Sequence, residues 1–344
     1  NPSGATIEDV ARLAGVSIST VSRVINRNVP VSDAVVARVE AAMKELRYAP
    51  RAAARNLATR KTNALGFLAS DALGEFFGPL VVGIEEITNA NGYDLLISTA
   101  GGSGPHDDLP RALGRHNTDG LLVFASSLSD DAIARAHASG LPLVLIHKSS
   151  PAGLPIPCVT IENKSAACAV VEHLITAHDR RRIALLRGLP QQEDSHWREL
   201  GYREVLAKHG IPFDPALVRP GDFSRNVARA SVRGLLEEGV IFEAIFTGDD
   251  EAAVGALQAL HEAGRRVPED VAVVGFDDQP LAVVLNPPLT TVHAPTQEVG
   301  RVAAQQLISL IRTGHADALT LLPTEICIRR SCGCRGGALS DGTR

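Results

Sequence analysis

The stretch Thr6–Arg27, TIEDVARLAGVSISTVSRVINR, reads as two short helices joined by a tight turn. Thr6 with Asp9 three residues on is the pattern of a capping box, which satisfies the free N–H groups of a helix start. Ile7, Val10, Ala11 and Ala14 recur at helical spacing and define one apolar stripe. Gly15 ends that helix, because a residue without Cβ enters the left-handed region at little cost. Val16 plugs the turn, and Ser17 caps a second helix that carries Val21, Val24 and Ile25 inward. Ile18, Ser19, Ser22 and Arg23 are left on the opposite face. A third helix follows from Ser32, with Val36, Val39, Met43 and Leu46 facing the other two. This pattern suits either a plain helical hairpin inside a larger fold or a head whose second helix enters the major groove of DNA. Charge separates the two. Residues 1–61 hold ten Lys or Arg and five Asp or Glu, a net of +5, while the rest holds 24 basic and 34 acidic residues, a net of −10. A basic head on an acidic body suggests a head that meets phosphates.

TIEDVARLAGVSISTVSRVIN, then VS, then RVEAAMKELRYAPRAAARNLA, resembles the head of the lactose/galactose repressor family of bacterial transcription regulators. The remainder resembles that family's sugar-binding-like effector domain. The resemblance implies an all-α helix-turn-helix head (1–49), a hinge helix or linker (50–61) and an effector and dimerisation domain (62–335), with a flexible tail (336–344). The effector domain is expected to be a two-lobed, periplasmic-binding-protein-like α/β body with parallel sheets. Its N-lobe spans 62–162 and 293–323, its C-lobe 163–292 and 324–335, and the chain crosses between them three times, near Glu162, Val292 and Pro323. On the head, the resemblance assigns DNA contact to Thr6, Ser17, Ile18, Ser19, Ser22, Arg23, Asn26 and Ser32. Arg23 is the expected base reader, with guanine as its natural partner. Ile18 can offer only apolar contact, such as to a thymine methyl.

Pro50 suits the first turn of a helix, and Arg51–Ala58 is Ala-rich but only about two turns long, so it is marginal in water on its own. In the resembled family this hinge pairs with its dimer mate over the minor groove, and a leucine wedges between base pairs. Leu57 matches that leucine, Ala54 lies one turn earlier on the same face, and Arg51 stands where relatives often carry Asn. Apolar wedges of this kind exchange unstacking energy for a bent, better-wrapped duplex.

The chain has 344 residues and a hydrophobic content of 45%, enough for two or three domains with sizeable cores. No run of about 18 apolar residues is present, so no membrane span is expected. The opening Asn-Pro-Ser-Gly lacks the basic and apolar regions of a secretory signal. Five cysteines, an odd number, fit a reducing cytoplasm. Cys332-Gly-Cys334 invites a metal or redox reading, but two thiols without a second pair or a nearby His make a poor zinc site, so free, incidental thiols and no metal or cofactor are expected. Gly101-Gly-Ser-Gly104 lacks the lysine and spacing of a phosphate loop and reads as a turn. No leucine heptad closes the sequence, so a homodimer is expected.

From Leu65 onward apolar runs alternate with helix-length segments. The runs are 64–69, 94–99, 120–124, 142–146, 158–161, 182–187, 244–247 and 271–276; the helical segments are 79–91, 163–177, 197–209, 225–237, 250–264 and 296–313. Runs apolar throughout suit parallel strands covered on both faces, and the alternation suggests doubly wound sheets. Ligands of such sheets bind beyond the carboxyl ends of strands. Phe76 and Phe77, His147 and Lys148, Asp249 and Asp277 lie there. DSHWRELGY matches the family's Arg three residues before Gly-aromatic, which fixes Arg198 by register, and the resemblance gives effector contact to Arg198, Asp249 and Asp277. Carboxylates accept from pairs of hydroxyls and a guanidinium donates a fork of hydrogen bonds, while Phe76, Phe77 and Trp197 are candidates to cover a sugar's apolar face. Plainer roles exist: Asp249 and Asp277 as helix caps, Trp197 in a core, His147 on a surface. Asp250 and Asp278 read as structural. Two carboxylates with one arginine favour a neutral sugar or polyol, and His147 with Lys148 leaves an acidic sugar open.

The function expected is a dimeric, ligand-controlled transcriptional regulator, a repressor that binds a near-palindromic operator, with release by the effector favoured over co-repression. A stand-alone solute-binding protein is disfavoured by the basic head. An enzyme is disfavoured because no nucleophile–base pair or metal spacing accompanies the cleft carboxylates.

Overall fold

The computed structural model describes residues 5–26, 30–48, 61–70, 74–99 and 105–335. The chain divides into two compact units, Asn1–Thr62 and Asn63–Arg344. The hinge readings on Arg51, Ala54 and Leu57, the turn at 101–104 and the tail at 336–344 lie outside the described residues.

In the first unit, α1 (Ile7–Ala14), α2 (Ile18–Asn26) and α3 (Asp33–Glu45) pack around Val10, Ala11, Ala14, Val21, Val39 and Ala42. The capping box is formed: the Thr6 N–H donates to Asp9 Oδ2 at 3.0 Å, and Thr6 Oγ1 accepts from the Asp9 N–H at 3.3 Å. Gly15 takes φ 65° and its N–H turns back to the carbonyls of Ala11 and Arg12, which stops α1. Ser17 Oγ accepts from the Thr20 N–H at 3.2 Å and starts α2. On α3, Val35 rather than Val36 joins the core with Val39, Met43 and Leu46. Residues four apart share a row on a helix, and 35, 39 and 43 form that row. Val10, Val21 and Val39 have no exposed surface, which is worth about 1.5–3 kcal/mol for each such side chain.

In the second unit the strands are β1 (Ala64–Ala69), β2 (Asp94–Thr99), β3 (Gly120–Phe124), β4 (Leu143–Ile146), β5 (Cys158–Ile161), β6 (Ile183–Arg187), β7 (Val218–Pro220), β8 (Ala244–Thr247), β9 (Ala272–Val274), β10 (Thr291–His293), β11 (Leu319–Leu322) and β12 (Glu325–Cys327). The helices are α4 (Phe77–Ala90), α5 (Asp130–Ala138), α6 (Asn163–His178), α7 (Glu193–Lys208), α8 (Arg225–Glu237), α9 (Asp250–Glu262), α10 (Leu281–Val284) and α11 (Thr296–Thr313). One parallel sheet has the order β11-β5-β4-β3-β1-β2 and the other β7-β6-β8-β9. The chain passes from the first sheet to the second after Ile161. It returns through β10, whose antiparallel partner β12 follows β11. Every apolar run read from the sequence is a strand, and β1, β3 and β4 are buried along their whole length, as strands covered on both faces must be. The short strands β7, β10, β11 and β12 and the helix α5 carry no such run and were not expected. α4 and α11 cross in close contact, because Gly83 and Gly300 let the backbones meet: a Cβ on Gly300 would fall 2.2 Å from the Leu80 carbonyl oxygen.

Cys332 and Cys334 do have histidines nearby. α6 ends on His178, and Cys334 Sγ lies 3.3 Å from His178 Nε2 and 3.6 Å from His173 Nε2.

Candidate functional site

Between the two sheets lies a cleft of about 550 Å³, lined among others by Glu75, Phe76, Phe77, Phe124, Gln192, Asp194, Arg198, Phe223, Asp249, Asp277 and Gln279. Arg198 is its fixed point. It sits on α7, whose first turn carries Glu193 and Asp194, where the helix dipole favours acidic groups. Asp194 and Arg198 are four residues apart and therefore face the same way. The Arg198 Nε donates to Asn163 Oδ1 at 2.8 Å, Nη1 donates to the Gly248 carbonyl, and the guanidinium lies 3.6 Å over the Phe276 ring centroid. Asn163 in turn donates to Asp194 Oδ1 at 2.7 Å. These contacts aim the remaining fork at Asp277, with Nη2 3.6 Å from Asp277 Oδ1.

Asp277 and Asp278 follow the strand end at positive φ, 102° and 56°, and go to different places. Asp277 lines the cleft. Asp278 turns to the β10–β12 pair, accepting from Arg329 Nη2 at 2.6 Å, with His293 Nδ1 at 3.2 Å. Arg329 and His293 hold its carboxyl down at about 2 against the effect of its burial. Asp249 is both cap and lining: its Oδ1 accepts from the Ala252 N–H at 2.9 Å at the start of α9, while its residue lines the cleft. Burial, reinforced by the charge of Asp277, pushes Asp249 up to about 8. Asp277 is also raised, by burial, with Arg198 opposing. Asp250 is structural as expected, accepting from the Gln279 N–H at 2.8 Å and the Thr291 hydroxyl at 2.6 Å. Buried Asp277 Oδ1 and both amide atoms of Gln279 have no hydrogen-bond partner. Buried polar atoms without hydrogen bonds are costly, and a ligand bearing hydroxyls can supply them.

The aromatic wall comes from the other sheet. Phe76, Phe77 and Phe124 meet edge to face, with centroids 4.9–5.8 Å apart. Two of the predicted residues are elsewhere. Trp197 points away from the cleft, 42% exposed beside His196, since neighbours on a helix are turned by about 100° and Arg198 takes the inward position. His147 does not line the cleft but stands behind it. Its Nδ1 lies 2.9 Å from Asp194 Oδ2, and Lys148 Nζ is 2.8 Å from Asp130. His147 and Arg198 keep Asp194 ionised, lowering its pKa although burial works against them. Phe223, Gln192 and Gln279 were missed, because residues outside helices and strands carry no periodic signal, and Asn163 was missed because it is the first residue of α6, before any apolar period registers. Asp194 was missed as well, although its four-residue spacing to Arg198 is a signal that could have found it.

On the first unit, Ile18 (48% exposed), Ser19 and Arg23 form an outward face of α2. Ser22 is half-buried, and Ser32 is exposed before α3 with no capping bond. The hydroxyls of Thr6 and Ser17 are engaged with Asp9 and with Ser19 and Thr20. Asn26 closes α2.

Residues 6–51 match the model of the lacI family of bacterial regulatory proteins, and residues 171–332 that of a periplasmic binding protein-like domain. The HTH-type transcriptional regulator CelR of Thermobifida fusca is 35% identical over 95% of this chain and 98% of its own. The chain belongs to the lacI family. The ribose operon repressor of Escherichia coli K12 is 36% identical over 95% of this lacI-family chain and 99% of its own. The crystal structure of the lac repressor dimer bound to operator and the anti-inducer ONPF superposes with a TM-score of 0.82 at 28% identity, covering 96% of this chain and 99% of that one. Members of the lacI family are DNA-binding transcriptional regulators, and two folded parts, head and effector body, are what this member carries.

Proposed function

We propose that the chain is a dimeric repressor that reads a near-palindromic operator and is controlled by a neutral sugar or polyol bound in the cleft. The observation that carries the ligand class is the set of buried atoms without a hydrogen bond, Asp277 Oδ1 and the Gln279 amide, beside an arginine locked by Asn163, Gly248 and Phe276. Such a floor asks for hydroxyls that both donate and accept. The Phe76–Phe77–Phe124 wall supplies an apolar face for the ring. Among the described residues, carboxyl groups outnumber the single lining arginine, and Lys148 is spent on Asp130, which disfavours phosphorylated or strongly acidic ligands. Solved lacI-family regulators in complex with cellobiose and with ribose support this class of effector.

Operator reading falls to the exposed face of α2, with Arg23 to guanine, Ser19 and Ile18 beside it, and Thr6, Ser17, Ser22, Asn26 and Ser32 toward the backbone. Arg51, Ala54 and Leu57 are assigned to the hinge from sequence alone. Release by effector follows if closure of the lobes alters the spacing of the two hinges. The cleft carboxyls do no chemistry in this reading, and the regulator works in the cytoplasm on operator DNA. A thermal-shift screen of sugars, polyols and sugar phosphates, followed by gel shifts on the operator, tests it. Neutral sugars should raise the melting temperature and release the DNA. Stabilisation by sugar phosphates alone, or DNA binding indifferent to salt, would overturn it.

A further inference from the structure

Four metal-ligating side chains that do not line the cleft meet at the end of α6. We propose that Cys332, Cys334, His173 and His178 form a closed, structural zinc site. Their ligand atoms all lie within 4.8 Å of one another. With zinc–sulfur bonds of about 2.3 Å and zinc–nitrogen bonds of about 2.0–2.1 Å in a tetrahedron, neighbouring donors stand roughly 3.4–3.8 Å apart. Cys334 Sγ lies 3.3 Å and 3.6 Å from the two histidine Nε2 atoms. The imidazoles are 5.0 Å apart and inclined at 80°, so they approach from different directions, as two corners of a tetrahedron do.

The setting is built around these donors. His173 and His178 have the spacing of an H-x3–5-H pair, but Cys-Gly-Cys is one residue shorter than the shortest usual cysteine spacing. Gly333 makes the short spacing feasible: it takes φ 112°, and a Cβ there would press on His178 Nδ1 at 3.1 Å. Cys332 is fully buried and the other three are half-buried, so the site is shielded but reachable. The Thr290 hydroxyl donates to Cys332 Sγ at 3.1 Å, the outer contact that a metal-bound thiolate accepts. Ser331 fixes the register beside it, donating to the Val273 carbonyl at 2.6 Å and accepting from the Thr290 N–H at 2.8 Å. Two thiolates and two imidazoles select zinc over magnesium or calcium, and four protein ligands leave no open position for catalysis. On binding, each thiol releases its proton to solvent and the dication is neutralised by the two thiolates. The metal would bolt the segment after β12 to α6, across 156 to 161 residues of sequence.

The test uses the full chain, purified under reducing conditions. Metal analysis should find zinc equimolar with protein, and cobalt exchanged into the site should show the strong visible bands of tetrahedral thiolate coordination. Chelation should lower the melting temperature and zinc restore it. Cys334→Ser and His178→Gln should lose the metal and the cobalt bands while operator binding persists, and Cys168→Ser should keep them. Should the variants fail to fold, the wild-type stoichiometry and cobalt spectrum decide alone. Wild-type protein with no bound metal and no competition against a chromophoric chelator overturns the proposal, as does a Cys332–Cys334 disulfide that persists under reduction.

Discussion

Asp277 carries the largest share of the proposed recognition, because it is buried and its Oδ1 faces Arg198 Nη2 at 3.6 Å, an ion pair without a hydrogen bond. Asp277→Asn keeps the shape and removes the charge. Hydrogen bonds to charged groups are worth about 1.5–3 kcal/mol, so effector affinity by calorimetry should fall about ten- to hundredfold while effector-free operator affinity stays unchanged. Unchanged effector affinity would remove Asp277 from the site. Asp249 gives a second expectation, in pH. The folded chain holds this proton up to about 8, whereas an unfolded aspartate releases it near 3.9. Between those values the native state binds the extra proton, so this residue's contribution to stability declines as pH rises from about 4 to about 8. Asp249→Asn removes that slope: its melting temperature should gain on the wild type steadily from pH 5 to pH 8. A difference independent of pH would mean that the carboxyl ionises normally. Arg198 was legible in the sequence from the register of DSHWRELGY, while Phe223 and Gln279 were not. Their places depend on loop geometry, such as φ 54° at Phe223, that no spacing rule encodes.

At the scale of elements, pattern and structure agree where burial is continuous and part where it is not. β1 is buried at every residue and is plain in ALGFLA; β11, exposed at alternate positions on a sheet edge, is not. β10 and β12 are three residues each, too short for any period to register. The histidines at the end of α6 and the thiols of 332–334 belong to segments that only the fold brings together, so the sequence reading left the thiols without partners. Helix packing was equally hidden. α4 and α11 touch through Gly83 and Gly300, and nothing in a lone glycine says which backbone it will meet. Gly300→Ala would drive a Cβ against the Leu80 carbonyl and force the helices apart. Overpacking of this kind costs about 1–3 kcal/mol, although alanine's better helix propensity returns about 1. A net loss of stability in urea titration is expected, with operator sequence preference untouched. A gain would mean that the crossing can open freely.

In the whole molecule, ligand and DNA must be linked by parts that move as bodies. The two sheets are tied behind the cleft by His147 to Asp194 at 2.9 Å and by the Ser149 N–H and hydroxyl to Glu193, the hydroxyl at 2.6 Å. His147→Ala should loosen this latch, and the effector dose that releases the operator should shift while ligand contacts remain. An unchanged dose response would show that the latch carries no coupling. The dimer is the other body-scale requirement, since a palindrome is read by two heads. α4 and the edge strand β2 leave Val82, Leu96 and Ile97 between 36% and 45% exposed, apolar surface that a second copy would cover. Ile97→Glu places a charge in that surface. Sedimentation should then show monomers where the wild type is dimeric. Operator affinity should drop roughly 10²–10⁴-fold, because the second head no longer binds at high effective concentration. Affinity for a single half-site should stay as it was, and so should sugar binding in the cleft, which lies within one chain. A variant that remains dimeric would move the interface to another face, while a monomer with full operator affinity would break the link between symmetry and reading.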